Sequence, residues 1–547
     1  MTHPNPSTAL ARVVMDELAR RGVRHVVISP GSRSAALTLA AEEHPALSTR
    51  VVIDERSAAF HALGMARASD APAAVTSTSG TAPANFYPAV IEADMSCVPL
   101  VAISADRPAE MRGVGANQTI DQLQMFGTHV RRFADIEAPG SDHDGNRAWR
   151  TVVGGLLAAA VGTRPGPVHL NVAFREPTVP VDDDGRTRAE AYPFPTPRIE
   201  GDPPAPDAGR PDRAAPALPG ERGLVIAGDG VYDRVALMAK AAELGWPLLA
   251  TAMSGMRGTG ALDAYHHVLA GGVPDRLAPL TVVAVGSIGP STRLEDLVAS
   301  ATNRVRVDRW ARTIDPRRNA TALHHGDPVS LLDGVIGSAD PYWADEWRAA
   351  DAGARESVRA LIGAHQSLTG AAVAQALNEV GWDSLVAASS LPIREVDAHL
   401  TRPGMVFANR GASGIDGFVS TALGVATVQT GTLALAGDLS LLHDANGFLH
   451  DGGIDLVMVV LDNGGGGLFD SLPLAAHAPG YERLFFTPHR RDLELLARFH
   501  GLGYEMVDDV PGLVAACTDA LETGGVTLVH VPVDRGYDLE TRSQLGS

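Results

Sequence analysis

The chain has 547 residues, 45% hydrophobic and 20% charged, a composition ordinary for a soluble globular protein of roughly three to four domains. Its net charge of −19 argues against nucleic acid, which calls for a basic footprint, and two cysteines make neither a disulfide framework nor a cysteine-rich zinc site. No apolar run reaches the roughly 18 residues of a membrane span, and no signal-peptide core opens the chain, so a cytoplasmic enzyme is expected.

Elements alternate from the amino end. Helix Ala9–Arg21 precedes strand His25–Ser29, and a helix starts from Arg33. Strand Val51–Ile53 leads to a helix from Glu55, and strand Ala74–Ser77 to one from about Pro83. Strands Leu100–Ser104 and Val168–Val172 complete an expected α/β, doubly wound parallel-sheet domain over 1–180. Three strand ends carry unusual residues. In Ser29-Pro30-Gly31-Ser32-Arg33, an arginine at a helix start opposes the dipole, so it either meets an anion or faces solvent. Glu55, after Asp54, is either a first-turn residue or a carboxylate aimed into a cleft. Arg107, with Asn117 and Gln118 beyond it, offers a planar fork and neutral donors suited to carboxylates and carbonyls.

Residues 181–220 are rich in Pro, Asp, Gly and Arg and read as a stiff linker. A central Rossmann-like domain is expected over 221–362, with strands Gly223–Ala227, Thr281–Val285 and Val305–Val307. Its Gly228-Asp229-Gly230 has no asparagine about 26 residues on and reads as a turn. The single lysine, Lys240, lies on an expected helix with a solvated face, and no Walker loop exists.

The third domain, 363–547, starts with helix Thr369–Val380. Strand Leu385–Ala388 ends at Ser389-Ser390, with Arg394 following; strand Met405–Ala408 leads into Asn409-Arg410-Gly411-Ala412-Ser413-Gly414-Ile415-Asp416-Gly417. An apolar run Leu433–Ala436 ends at Gly437-Asp438-Leu439, and a second, Ile454–Leu461, at Asp462-Asn463-Gly464-Gly465. Helices Arg491–His500 and Val510–Leu521 and strand Val526–Val531 follow. In an open α/β sheet, ligands sit beyond the carboxyl ends of the strands, which is where Asp438 and Asn463 fall. A carboxylate, an amide oxygen and glycines that admit a backbone carbonyl suit a magnesium-held diphosphate. A helix from Leu439 would present free N–H groups to it. His443 reads as a helix-packing residue.

Gly-Asp followed by Asn-Gly resembles the thiamine diphosphate motif, with Leu439 and Asp462 as departures from its usual residues. Ser29–Arg33, Thr78-Ser79-Gly80-Thr81-Ala82, Arg107-Pro108, Gly115–Thr119 and the Asn409–Gly417 run resemble the MenD family, the 2-succinyl-5-enolpyruvyl-6-hydroxy-3-cyclohexene-1-carboxylate synthases. That resemblance implies three domains: pyrimidine-binding, central Rossmann-like and diphosphate-binding. It also implies decarboxylation of 2-oxoglutarate and 1,4-addition of the resulting succinyl carbanion to isochorismate, in menaquinone biosynthesis. Thiamine diphosphate and Mg²⁺, with Mn²⁺ able to substitute, are the implied cofactors. Glu55 would be catalytic, activating the aminopyrimidine. Asp438, Asn463 and Gly465 would hold the metal. Ser390, Gly414, Ile415, Leu439, Leu468 and Phe469 would line the cofactor with them, Ile415 supporting its bent conformation. Ser32, Arg33, Arg107, Asn117, Gln118, Ser390, Arg394 and Arg410 would clamp the anionic substrates. The resemblance further implies a homo-oligomer, a dimer or dimer of dimers. An acetolactate-synthase-like enzyme and a catalytically silent binding module are the rival readings.

Overall fold

A computed structural model describes residues 5–138, 145–179, 218–289, 291–310, 312–363 and 367–546. The expected linker therefore lies outside the described residues, except at its last three positions. The chain divides into two compact units: Met1–Ala208 with Asn409–Gln429 and His443–Ile454, and Gly209–Ala408 with Thr430–Leu442 and Asp455–Ser547.

In the first unit six strands, β1 (His25–Ile28), β2 (Ser48–Val51), β3 (Ala73–Ser77), β4 (Leu100–Asp106), β5 (Phe133–Glu137) and β6 (Val168–Ala173), form one parallel sheet. Their order is β2-β1-β3-β4-β6-β5. The central strands β3, β4 and β6 are buried along their whole length, as continuous apolar runs require when helices cover both faces. The edge strand β5 is half-exposed and carries Asp135 and Glu137. The sequence reading omits it because a polar edge strand has no apolar run. It also misplaces β2. The apolar triplet Val51-Val52-Ile53 runs past the strand: Val52 makes an isolated antiparallel bridge with His450, and Ile53 is 63% exposed.

The helix Glu55–Ser69 starts on a sound cap, the Asp54 side chain accepting from the N–H groups of Arg56 and Ser57. It lies along the helix Phe418–Val428, which the chain returns to the same unit to supply. Gly64 and Gly424 let the two backbones approach: a Cβ on Gly424 would sit 2.1 Å from the His61 carbonyl oxygen. Asp444, wholly buried, accepts from the Ser420 N–H at 2.8 Å and from the Ser57 hydroxyl at 3.3 Å, tying the starts of both helices together.

The second unit holds two parallel sheets and a two-stranded pair. Strands β7 (Leu218–Pro219), β8 (Gly223–Ala227), β9 (Leu248–Ala250), β10 (Thr281–Val285), β11 (Asn303–Val307), β12 (Ala322–His324) and β13 (Val335–Ile336) belong to its first part. There the five-stranded order is β12-β11-β10-β8-β9, and β13 pairs with β7. Strands β14 (Ser384–Ala387), β15 (Met405–Phe407), β16 (Thr432–Gly437), β17 (Leu456–Asp462), β18 (Gly503–Met506) and β19 (Val526–Pro532) form the last sheet, in the order β15-β14-β16-β17-β19-β18. That order repeats the winding of the first sheet strand for strand.

The two sheets of this unit are joined through Asp397, 4% exposed. Its carboxylate accepts from the Ala252 N–H at 2.7 Å and the Tyr265 hydroxyl at 2.8 Å, and pairs with Arg257 and His266. Burial alone would raise its pKa, but His266, Arg257 and the backbone donor outweigh it and hold it at about 2.

Candidate active site

Each six-stranded sheet reverses direction between its first and third strands, and that switch point opens a crevice beyond the strand ends. In the first sheet β1 runs into Ser29–Arg33 and β3 into Thr78–Thr81. The Arg33 side chain is largely covered: it donates to the Phe174 carbonyl at 3.0 Å and pairs with Glu176 at 3.0 Å. It is not the solvent-facing arginine that was one of its two readings. Arg107, 8% exposed, donates to the Gln118 carbonyl at 2.9 Å and to the Ser79 hydroxyl. Burial, and then the charge of Arg33, hold its pKa below the ordinary arginine value. Two guanidinium groups thus neighbour each other at these strand ends, with Glu176 against Arg33 and Asp106 beside Arg107. Gln118, in a left-handed conformation at φ 52°, donates its amide to the Ser79 carbonyl at 3.0 Å. Ser32, Asn117 and Gln118 are exposed at this rim.

A buried polar cluster supports it. Asp106 accepts from the Arg107 N–H at 2.7 Å and from Asn171 at 3.0 Å. Gln122, 1% exposed, accepts from the Gly80 N–H at 3.0 Å and donates to Asn171 at 2.9 Å. The pairing of β4 with β6 brings Asn171 beside Asp106, and Gln122 reaches them from a loop.

Glu55 is half-buried on the first turn of its helix, in the same unit as the Asn409–Gly417 loop. That loop ends at Gly417, whose φ of 68° starts the Phe418 helix. Phe60 packs at Gly417, Gly64 at Thr421, and Ala68 accepts from Gln429, so the two helices run in the same direction. Glu55 and Ile415 consequently lie at the same end of the pair. Arg410, Gly414 and Ile415 are half-buried.

In the last sheet the switch point lies between β14 and β16. Past β14, Ser390 takes φ 78°, an unusual backbone for a serine, and its carbonyl accepts from Arg394, an exposed residue one helical turn on. Past β16, Asp438 is 2% exposed. Its carboxylate accepts from the Gly465 N–H at 2.8 Å and the Leu439 N–H at 2.6 Å. Asp438 therefore consumes one of the N–H groups expected to be free for a phosphate, and its helix spans only Asp438–His443. Asn463 points its amide oxygen at the same Gly465 N–H, 3.2 Å away. Leu468 and Phe469 are half-buried on the following turn, Phe469 edge-on to Phe485.

Two residues here join the cluster without a ligand role in the sequence reading, which has Asp462 only as a departure from the motif and does not name His489. Asp462, at the end of β17, and His489, far along the chain, place ligand atoms within 4.8 Å of one another and of Asp438. His489 Nε2 lies 3.1 Å from an Asp438 oxygen. Burial, then the neighbouring Asp462, push the Asp438 carboxyl up to about 6. Asp462 keeps the charge: burial opposes it, but its hydrogen bonds to His530 and the Gly464 N–H hold its pKa below the usual range. Adjacent carboxylates in a partly dry site, with an amide oxygen beside them, form a donor set that a hard divalent cation would satisfy.

Other expectations change. His443 does not pack within a helix; it is exposed at a helix end, where its carbonyl accepts from Arg56 at 2.9 Å. Lys240 is not freely solvated, pairing with Asp333 at 2.9 Å and Glu243 at 3.1 Å. The Gly228-Asp229-Gly230 expectation stands: Asp229 exchanges backbone hydrogen bonds with Ser287, as a structural turn does.

Residues 8–125 match the family described as thiamine pyrophosphate enzyme, N-terminal TPP binding domain. The chain is 42% identical over 561 residues to the 2-succinyl-5-enolpyruvyl-6-hydroxy-3-cyclohexene-1-carboxylate synthase of Thermobifida fusca, covering 99% of this chain and 98% of that protein. It is 39% identical over 568 residues to the synthase of the same name from Rubrobacter xylanophilus, covering 99% and 98%. It is also similar to the crystal structure of benzoylformate decarboxylase from Polynucleobacter necessarius, with a TM-score of 0.68 at 16% identity over 96% of this chain and 99% of that one. At that identity the likeness is one of fold.

Proposed function

The chain belongs to the 2-succinyl-5-enolpyruvyl-6-hydroxy-3-cyclohexene-1-carboxylate synthase family of thiamine diphosphate enzymes, and from that premise we propose how its residues divide the work. The reaction is decarboxylation of 2-oxoglutarate and 1,4-addition of the succinyl carbanion to isochorismate, a step of menaquinone biosynthesis. The observation that carries this reading is likeness over the whole chain, not over the cofactor domain alone.

Thiamine diphosphate, when bound, supplies the electron sink that loss of CO₂ from a 2-oxo acid requires. Asp438, Asn463 and the Gly465 carbonyl would hold a divalent cation, Mg²⁺ or Mn²⁺, for the diphosphate. Burial and then the neighbouring Asp462 raise the Asp438 pKa, and a bound cation would favour the ionised carboxylate against both. Glu55 would hold the proton that activates the aminopyrimidine. By the family resemblance, Leu439, Leu468, Phe469 and Ser390, and from the other unit Gly414 and Ile415, would line the cofactor and keep water from it.

Both substrates are polyanions. Arg33 and Arg107 at one crevice, and Arg394 and Arg410 elsewhere, supply the forks that orient their carboxylates; Ser32, Asn117, Gln118 and Ser390 complete the polar contacts. The cytoplasm, where both substrates are soluble metabolites, is the proposed location; among the described residues no helix is long and apolar enough to cross a membrane. A homodimer or dimer of dimers is the proposed assembly.

Incubating the protein with 2-oxoglutarate, isochorismate, thiamine diphosphate and Mg²⁺ and identifying the product by mass spectrometry tests the reaction. Formation of an acetohydroxy acid from pyruvate, with 2-oxoglutarate untouched, would replace it by the acetolactate-synthase-like alternative.

A further inference from the structure

The Asn409–Gly417 loop is fixed by a helical residue of the same unit that neither its sequence nor its neighbourhood in the chain announces. Glu92 stands on the helix Tyr87–Ser96 and is 2% exposed. One carboxylate oxygen accepts the Gly411 N–H at 2.8 Å and the other the Ala412 N–H at 2.6 Å. The Ser96 hydroxyl donates to the first oxygen at 2.7 Å, and Arg67 lies 3.9 Å from it. The fit is close: a Cβ on Gly411 would stand 2.6 Å from the Ser96 hydroxyl and 2.9 Å from the Glu92 carbonyl. Two successive backbone donors aimed at one anion form a concave anion site, and here a side chain of the same chain fills it.

A carboxylate suits this task where an amide does not. It offers an acceptor to each N–H, and charge-assisted bonds of this kind are roughly twice as strong as neutral ones. A glutamine would turn its NH₂ toward one of the two donors. Arg410 is the residue immediately before the clamped pair, and Ile415 is three residues after it. Asn409, on the other side, donates to the Thr421 hydroxyl at 3.0 Å. Clamping positions 411 and 412 therefore leaves the Arg410 backbone held on both sides.

We propose that Glu92 is a positioning residue for substrate binding, acting by fixing the backbone from which Arg410 reaches a substrate carboxylate. This rests on the reading of Arg410 as a substrate clamp. Within the helix Tyr87–Ser96 the Glu92 carboxylate meets only the Ser96 hydroxyl; its two backbone donors both come from the loop.

A double-mutant cycle on the full-length enzyme, loaded with thiamine diphosphate and Mg²⁺, separates the two ideas. KM and kcat are measured for 2-oxoglutarate and isochorismate in the parent, Glu92→Gln, Arg410→Ala and the double variant, with a thermal melt of each. The expected result is that Glu92→Gln raises the KM of the same substrate as Arg410→Ala, by roughly tenfold, the effect of one charged hydrogen bond. kcat changes little, the melting temperature falls alike in the parent and Arg410→Ala backgrounds because a buried N–H loses its acceptor, and the tenfold effect on KM disappears in the Arg410→Ala background. A Glu92→Gln enzyme with parental KM beside an impaired Arg410→Ala overturns the proposal and leaves the reading of Arg410 intact. A Glu92→Gln effect that persists in full without Arg410 also overturns it. If Arg410→Ala itself is unchanged, the substrate role of Arg410 fails, and the proposal fails with it. Glu92→Asp, one methylene shorter, should not restore KM.

Discussion

Gly64 and Gly424 touch backbone to backbone. A side chain on Gly64 would lie 2.3 Å from the Thr421 carbonyl oxygen and 3.1 Å from the Gly424 Cα. The neighbours it would meet are main-chain atoms, which cannot rotate away. The helix that starts at Glu55 is thus seated at a distance only two glycines permit.

Gly64→Ala should therefore push the two helices apart. The expected destabilisation is about 1–3 kcal/mol, typical of overpacking, read by urea or thermal unfolding. Activity should fall further than stability implies, because Glu55 rides on the displaced helix. A fully active and equally stable Gly64→Ala variant would show that the contact is looser than described.

Glu55→Gln keeps the shape of the side chain and removes its ability to hold an acidic proton. Thiamine diphosphate should still bind, by calorimetry, while CO₂ release from 2-oxoglutarate drops by about 10²-fold or more. Retained turnover would take Glu55 out of the catalytic role.

At the last sheet, Asp438→Asn keeps the size of the side chain and an acceptor for only one of the Leu439 and Gly465 N–H groups, and deletes a charge. Mg²⁺-dependent binding of thiamine diphosphate should weaken by more than roughly tenfold, since Mg²⁺ is typically held through one or two carboxylates. Unaltered affinity, measured by titrating Mg²⁺ at fixed cofactor, would remove Asp438 from the metal site.

Acid should loosen the first unit through two buried histidines. Burial is the main cause that depresses His61 and His169 to about 3. His61 faces the Thr427 hydroxyl at 3.1 Å and His169 the Ser104 hydroxyl at 2.7 Å. Their folded values lie below the ordinary 6.5, so between pH 6.5 and about 3 the unfolded chain binds more protons. The stabilisation is complete above pH 6.5 and shrinks as pH falls through that window, by at most about 1.4 kcal/mol per pH unit for each histidine. Urea midpoints at pH 7.5, 6 and 5 should fall accordingly, and less steeply in a His61→Gln, His169→Gln double variant. Parallel slopes in the two proteins would assign the acid sensitivity elsewhere.

How far the chain declares itself differs between centre and edge of each sheet. Gly223–Ala227 and Thr281–Val285 are recovered residue for residue, because a strand covered on both faces is a bare apolar run. Phe133–Glu137 and Gly503–Met506 stand at sheet edges, are largely half-exposed or exposed, and carry charges that break any such run. The strand-end residues Arg33, Asp438 and Asn463 are legible because topology sends strand ends to the crevice. Their partners are not. His489 against Asp438, Gln122 against Asn171 and Glu92 against Gly411 are contacts between distant segments, with no spacing to betray them.

The segments Asn409–Gln429 and His443–Ile454 belong to the compact unit of the amino-terminal 208 residues, not to the sequence around them. An expression fragment stopped short of them would synthesise the first sheet with the small-residue side of the Glu55 helix stripped and Asp444 missing beneath Ser57. Such a fragment should be sticky and prone to clump. Supplying the lost helix as a separate peptide should quiet it.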